Sequence, residues 1–273
     1  MGSAKTLIGR IDGFTLLELI IVVLLLGIMA VSLGSLTSNT VYSYIDAKDR
    51  NRLSQSSKWI IEKISREIRE ALPQSVRTGV NGNFHCVEFM AIENASSYLN
   101  LPASGNITSF NAVGYNLTTS TANLVAIMPI NTSSLYAVNG TLGNVLSIAT
   151  FAGDPNQVVI NLTGATVFNR RSPQNRFYLL NTPVSFCLDD NNGQLLKYSN
   201  YAITATQQFP PAIGNQLGEN FFANGTVFNY QTGTLSRAGL LQINLTTQNR
   251  NRGLTGTSES INLFHEVHVR NVP

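Results

Sequence analysis

One carboxylate side chain lies within a run of apolar residues, which offer it no ionic partner. Residues 14–36 read FTLLELIIVVLLLGIMAVSLGSL, and Glu18 is the one charged residue in this run. A charged side chain in an apolar helix costs roughly 3 kcal/mol in lipid unless it is paired. A buried carboxylate and a buried ammonium each offset the other's desolvation. Glu18 is therefore a candidate functional residue, and its partner must be sought.

The two cysteines, Cys86 and Cys187, are the next candidates for chemistry. Two thiols do not form a zinc site without histidines at suitable spacing. In an oxidising compartment the simpler interpretation is one disulfide, and the alternative is two free buried thiols. A disulfide closing a loop of about 100 residues stabilises a fold by roughly 4–5 kcal/mol in the chain-entropy model.

Motifs for catalysis or metal binding are weaker. We find no G-x-S-x-G elbow, P-loop or Rossmann fingerprint. His265 and His268 would face opposite sides of a strand, and His85 is most simply a strand residue beside Cys86. Residues 188–193 start with leucine rather than aspartate and predict a hairpin turn instead of a calcium loop. We expect no catalytic residue, no metal and no cofactor.

The elements that would position Glu18 begin with a long apolar helix. Residues 14–36 are long enough to span a bilayer. Residues 1–13 precede them and contain Lys5 and Arg10, which would hold that end in the cytoplasm. A secretory signal fits poorly, because the apolar run is too long and lacks a small-residue cleavage site at its far end. A plain membrane anchor fits the length but leaves Glu18 unexplained.

Helical periodicity continues through residues 37–73. No glycine or proline interrupts residues 38–72, and Pro73 marks the expected end of the helix. A helix from Phe14 to Leu72 would be roughly 90 Å long. Its apolar stripe is expected to consist of Trp59, Ile60, Ile61, Ile64, Ile68 and Leu72. Two charge pairs four residues apart, Glu62 with Arg66 and Arg66 with Glu70, would lie on the other face.

Residues 74–273 predict a β-rich domain. Strands are expected near residues 86–92, 124–128, 157–161, 176–180, 183–188, 194–198, 239–245 and 260–269. The last strand alternates, with Ile261, Leu263, His265, Val267 and Val269 on one face. Residues 95–150, rich in Asn, Ser, Thr and Gly, are expected to form long connections. The predicted fold class is α+β, with a long N-terminal helix packed on a mostly antiparallel sheet domain.

Composition agrees with a protein that works outside the cytoplasm. The chain has 273 residues and a net charge of +3, with 12% charged and 43% hydrophobic residues. Amide and hydroxyl side chains must supply much of the surface polarity. The charge is too small and too scattered to indicate nucleic-acid binding by itself.

Residues 13–18, GFTLLE, resemble the type IV prepilin motif. The resemblance implies that prepilin peptidase cuts between Gly13 and Phe14 and that Phe14 is then N-methylated. It also implies that the Glu18 carboxylate meets the free N-terminus of a neighbouring subunit. Residues 1–13 would be the leader, 14–36 the membrane and filament-core half of the helix, 37–73 its amphipathic half, and 74–273 the globular pilin domain.

Three further stretches, residues 67–77, 176–201 and 261–273, resemble minor pilins of the mannose-sensitive haemagglutinin (MSHA) type IV pilus. The wider relatives are PilW-type minor pilins and the J-type minor pseudopilins of type II secretion. The resemblance implies a low-copy subunit of a tip or initiation complex. Its partners would be other major and minor pilins, prepilin peptidase and, before assembly, the inner membrane. The globular domain would be periplasmic and later exposed on the pilus at the cell surface.

Three functions remain open from the sequence. The first is a minor pilin, with a pseudopilin as its near alternative. The second is a tip subunit that binds DNA, a surface glycan or a secreted substrate, through the residue 95–150 region and the basic cluster of Arg170, Arg171 and Arg176. The default interpretation of that cluster is a solvated surface, and the ligand is unknown. The third, an anchored enzyme, has no positive sequence evidence.

Overall fold

A computed structural model describes residues 13–72, 74–102, 105–114, 117–137, 142–211, 213–234, 237–248 and 260–269. The predicted leader up to Asp12 and the predicted helix stop at Pro73 therefore lie outside the described residues. The chain divides into two compact units, chiefly residues 1–50 and residues 51–251 with 258–273.

Helix α1 spans Leu16–Arg69, so the expected end at Leu72 is three residues too late. The last turns tighten, because the amides of Glu70 and Ala71 donate to carbonyls three residues earlier. Beyond that point the Leu72 amide donates to the Met90 carbonyl at 2.7 Å. An isolated antiparallel bridge between Ala71 and Ala91 thus replaces helical hydrogen bonding before the proline is reached.

The buried face of α1 differs from the predicted stripe at one important residue. Ile60, Ile64 and Ile68 are fully buried as expected, but Trp59 is 54% exposed. At about 100° per residue, Trp59 lies about 180° around the helix from Ile68. Ser57 and Ser65 occupy the core face instead, and each hydroxyl donates to the carbonyl four residues earlier at 2.6 Å.

The charge pairs on this helix also differ from the expectation. Neither Glu62 nor Glu70 forms an ion pair with Arg66. Glu67 is the acidic partner instead, 3.5 Å from the ammonium of Lys63 and 2.7 Å from that of Lys197. The link to Lys197 ties the helix to the β domain.

Fifteen strands lie within the described residues. In chain order they are β1 (Arg77–Asn81), β2 (Phe84–Phe89), β3 (Ile92–Asn100), β4 (Ile107–Val113), β5 (Leu124–Ala126), β6 (Leu142–Phe151), β7 (Asp154–Thr166), β8 (Arg176–Leu180), β9 (Val184–Asp189), β10 (Gln194–Tyr198), β11 (Asn215–Glu219), β12 (Phe221–Phe222), β13 (Phe228–Gln231), β14 (Gly239–Gln248) and β15 (Ser260–Val269). A short helix, α2 (Thr132–Tyr136), lies between β5 and β6. All described pairings are antiparallel, and the predicted α+β class is confirmed.

Two sheets share one hydrophobic core with α1. The central sheet has the order β1-β2-β9-β10-β11, and the C-terminal sheet is built on β14, which pairs with β12, β13 and β15. The core joins the helix isoleucines to Val87 and Phe186 of the central sheet and to Leu241 of the C-terminal sheet. Gly218 allows β11 to approach the helix closely, because a Cβ there would lie 2.5 Å from the side chain of Ile60.

The expectation of long connections over residues 95–150 is wrong. Strands β3 to β8 close into a six-stranded barrel with the order β3-β4-β7-β6-β5-β8. Its interior is filled by apolar side chains, among them Phe110 and Phe177, whose rings meet edge to face at 5.5 Å. The whole barrel is inserted between the neighbouring strands β2 and β9 of the central sheet.

Strands β5, β7 and β8 were expected, and bulges explain why β3, β4 and β6 escaped prediction. Register shifts occur in β3, β4 and β6, for example between Ile107 and Ser109 of β4. In that strand the buried residues Ile107 and Phe110 are three positions apart rather than two. A bulge adds one residue to a strand and breaks the period of two on which strand prediction depends.

The two cysteines form a disulfide, which decides between the two interpretations. Cys86 and Cys187 lie directly opposite each other on β2 and β9, with a Cα–Cα distance of 4.1 Å. Both are buried beside Tyr198 and Tyr201. The covalent loop contains all six barrel strands, so the disulfide closes the base of the insertion.

Two local predictions, one for a turn of the central sheet and one for the last strand, are confirmed. The turn between β9 and β10 has Gly193 at φ 66°, and the Asp189 carboxylate accepts from the Asn191 amide at 3.1 Å. In β15, burial alternates as predicted, and His265 and His268 lie on different faces.

A buried ion pair connects three parts of the β domain. The Arg77 guanidinium makes two bonds to the Glu88 carboxylate, at 2.9 and 3.0 Å, and also donates to the carbonyls of Thr204 and Ala205. It stacks on the Tyr136 ring at 3.6 Å. Burial raises the pKa of Glu88, and the bonds and charge of Arg77 partly oppose that rise.

Replacing Arg77 with methionine should destabilise the fold by about 3–5 kcal/mol at neutral pH, because it leaves a buried carboxylate unpaired. The pKa of Glu88 would rise further. A raised carboxyl pKa in the folded state makes stability fall as pH rises through that pKa, so the loss should be smaller at pH 5 than at pH 7. Chemical unfolding at the two pH values measures it.

The double variant Arg77→Met with Glu88→Leu is the control, since it removes both charges and should regain much of the stability. An equal loss at both pH values in the single variant would contradict the assigned role of Glu88.

Candidate functional site: the N-terminal end of helix α1

The first turn of α1 is a capped helix start. The Thr15 hydroxyl oxygen accepts from the Glu18 amide at 3.3 Å, and the Thr15 carbonyl accepts from the Leu19 amide at 3.2 Å. Thr15 and Glu18 have the spacing of a capping box, and this role of Thr15 was missed from the sequence. Its signal, a threonine three residues before a glutamate, was present. A carboxylate in the first turn is also favoured by the helix dipole.

The apolar half of α1 is uncovered by the described chain. Side chains from Phe14, which is 79% exposed, to Leu36, at 63%, face outward on every side of the helix. The helix contains a segment with mean hydropathy 2.9 and no buried residue, long and apolar enough to cross a membrane. Such a surface is stable only in lipid or against other apolar helices.

Hydroxyl groups in this half of the helix donate hydrogen bonds to backbone carbonyls of the same helix. Ser32 donates to the Ile28 carbonyl at 3.0 Å, and Thr37 donates to the Leu33 carbonyl at 2.8 Å. Ser35, Ser38 and Thr40 make similar bonds within the helix. These polar groups therefore enter an apolar environment without needing an external partner.

The Glu18 carboxylate differs from these hydroxyls. Among the described residues no hydrogen bond or ion pair to its side chain is present, although its backbone amide is capped. The side chain lies on the exposed helix surface. It is available to a positive group supplied from outside the described chain.

The structure groups some candidate residues and separates others. Gly13, Phe14 and Glu18 lie together at the start of α1, whereas Cys86 and Cys187 lie in the β domain. No cluster of His, Cys, Asp or Glu suited to a metal occurs in the part of the chain that the structure describes.

The basic cluster on the barrel is partly used internally. Arg171 donates to the Leu101 carbonyl, and Arg176 hydrogen-bonds Tyr178. Two of its three guanidinium groups therefore support the barrel itself.

Replacing Thr15 with valine should remove the cap and cost about 1 kcal/mol of first-turn stability. Amide exchange at Glu18, measured by NMR on the detergent-solubilised chain, should accelerate about fivefold. Thr15→Ser keeps the hydroxyl and should exchange at the native rate. Unchanged exchange in the valine variant would show that the cap does not hold this turn.

The comparisons with known proteins agree with this geometry. Residues 10–34 match the prokaryotic N-terminal methylation motif, a match that contains Gly13, Phe14 and Glu18. No curated protein and no solved structure gives a significant match to the chain. The motif implies processing by prepilin peptidase and assembly with other pilins, and with the apolar helix it is consistent with membrane anchoring. It supports a structural, type IV pilin-like protein.

Proposed function

We propose that this chain is an MshO-like minor pilin that takes part in initiation, assembly or the tip of an MSHA-type pilus. The observation that carries the proposal is Glu18, a carboxylate without a partner among the described residues, on an apolar helix that those residues leave uncovered. When several such helices pack together, their apolar surfaces are covered, and each carboxylate can pair with a positive charge from a neighbour.

Cleavage between Gly13 and Phe14 supplies that charge. The cut creates an ammonium at Phe14, four residues before Glu18, and N-methylation keeps the amine basic. Fold constraints do not require glycine at position 13, because no described atom lies within 4 Å of an added Cβ. A requirement imposed by the peptidase accounts for the residue.

Pairing between subunits follows from the capped start of the helix. Thr15 fixes the first turn, so the Phe14 amine and the Glu18 carboxylate of one chain lie at the same end of the helix. A neighbouring helix shifted along its axis brings its own amine to this carboxylate. The pair fixes the register of helices whose other contacts are uniformly apolar.

The same reasoning gives the localisation. Before assembly, the apolar half of α1 lies in the inner membrane with its N-terminus in the cytoplasm, as Lys5 and Arg10 favour. The globular domain is then periplasmic, where its disulfide forms. Assembly carries the chain to the cell surface in the pilus.

The minor-pilin assignment rests on the three stretches that resemble MSHA minor pilins. They form the end of α1, the β8–β10 region with Cys187, and β15. About half of these residues belong to the helix and the two sheets, and β8 belongs to the barrel. The J-type pseudopilins of type II secretion share the motif and the assembly logic, and the experiment below separates the two.

Replacing Glu18 with alanine should leave membrane insertion intact and weaken joining to the pilus. An unpaired ammonium in the apolar bundle costs about 3 kcal/mol or more, so incorporation into sheared filaments should fall about a hundredfold. Immunoblots of sheared pili and membranes from a complemented deletion strain measure both quantities.

Ser32→Ala is the matched control, because the Ser32 hydroxyl is satisfied within its own helix. It should assemble normally. Normal piliation by Glu18→Ala would overturn the proposal, and a defect in type II secretion with intact pili would assign the chain to the pseudopilins.

A further inference from the structure

The one tryptophan of the chain lies on the solvent side of α1. Trp59 is 54% exposed and lies directly opposite the isoleucine face that packs on the sheets. An exposed tryptophan leaves a large apolar surface in water, and tryptophan is among the residues that most often anchor protein interfaces. The fold does not need Trp59 for its core.

Two arginines flank Trp59 on the same face. Arg52 and Arg66 are each seven residues away, which places them within about 20° of Trp59 around the helix. Both are exposed, and neither forms an ion pair with any described residue. The Lys63 ammonium lies 5.7 Å from the centre of the indole ring. An aromatic side chain and two cations thus form a stripe with heptad spacing.

The charge of this segment is strongly positive. Residues 51–69 contain five basic residues (Arg52, Lys58, Lys63, Arg66 and Arg69) and two acidic ones (Glu62 and Glu67). Their net charge of +3 equals that of the entire chain. Glu67 is already shared by Lys63 and Lys197. On the outward face, Arg52 and Arg66 have no ion-pair partner among the described residues, although Glu62 and Glu70 are also exposed, and acidic side chains of a partner would match these two arginines.

We propose that the stripe of Arg52, Trp59 and Arg66 is a docking surface for an acidic helix of a neighbouring pilin subunit. Side chains one heptad apart match a second helix packed along α1. In the partner, acidic side chains would meet Arg52 and Arg66, and an apolar side chain would cover the indole ring.

This inference rests on the proposed function, which supplies neighbouring subunits. The inference adds a surface that would determine which neighbouring subunit binds. The apolar halves of such helices are much alike, so they distinguish poorly between possible partner subunits. A second copy of this chain is a poor occupant, because each copy would bring the two arginines Arg52 and Arg66 against those of the other, and like charges repel.

The test uses the full mature chain in detergent, labelled with 5-fluorotryptophan at its single tryptophan. Each sibling prepilin of the host is co-expressed with it, and pairwise co-purification is followed by fluorine NMR. At least one sibling should co-purify and shift the Trp59 resonance. Trp59→Ala and the double variant Arg52→Glu with Arg66→Glu should each reduce co-purification about tenfold or more.

Lys58→Glu with Arg69→Glu is the matched control, because it reverses the same number of charges about a quarter turn away on the helix. It should co-purify at the native level. Equal losses in both charge-reversal variants, or a resonance that shifts with anionic phospholipid vesicles but with no sibling, would overturn the docking surface. Loss of every sibling contact in Glu18→Ala, with native contacts in the Trp59 variant, would keep the pilin function and remove this inference.

Discussion

A carboxylate in apolar surroundings is costly unless it pairs with a positive charge, and this constraint governs the start of α1. Thr15 caps the Glu18 amide, and the nearby hydroxyls bond within their own helix. The Glu18 side chain remains without a described partner. A second helix that brings a positive group to this carboxylate would provide the missing partner. The first turn of α1 therefore favours association with another helix.

The β domain packs on the other half of α1 and contains a large insertion. Two sheets bury the isoleucine face of residues 51–69 in one core. The barrel has its own core and leaves the central sheet between β2 and β9. The disulfide joins these two strands where the barrel is inserted. The barrel is therefore a separately packed insertion with a covalent link at its base.

Sequence reasoning succeeded where one periodicity dominates. The apolar run, the isoleucine spacing and the alternation in β15 each follow one physical rule, and the structure agrees with them. It failed where two rules compete. Ser57 and Ser65 are polar, yet self-bonded hydroxyls fit the core face, whereas the apolar Trp59 turns outward. In the barrel, bulges broke the alternation, and the Asn- and Thr-rich composition resembled loops.

The central claim is that the motif at Gly13–Phe14 creates the amine that Glu18 requires. The most direct test is the intact mass and N-terminal fragment spectrum of the chain purified from its host. The account predicts a chain that begins at Phe14 and carries one additional methyl group on its amine. A mature chain that retains residues 1–13, or one cut beyond residue 36, would contradict it, because neither would place a free amine next to Glu18.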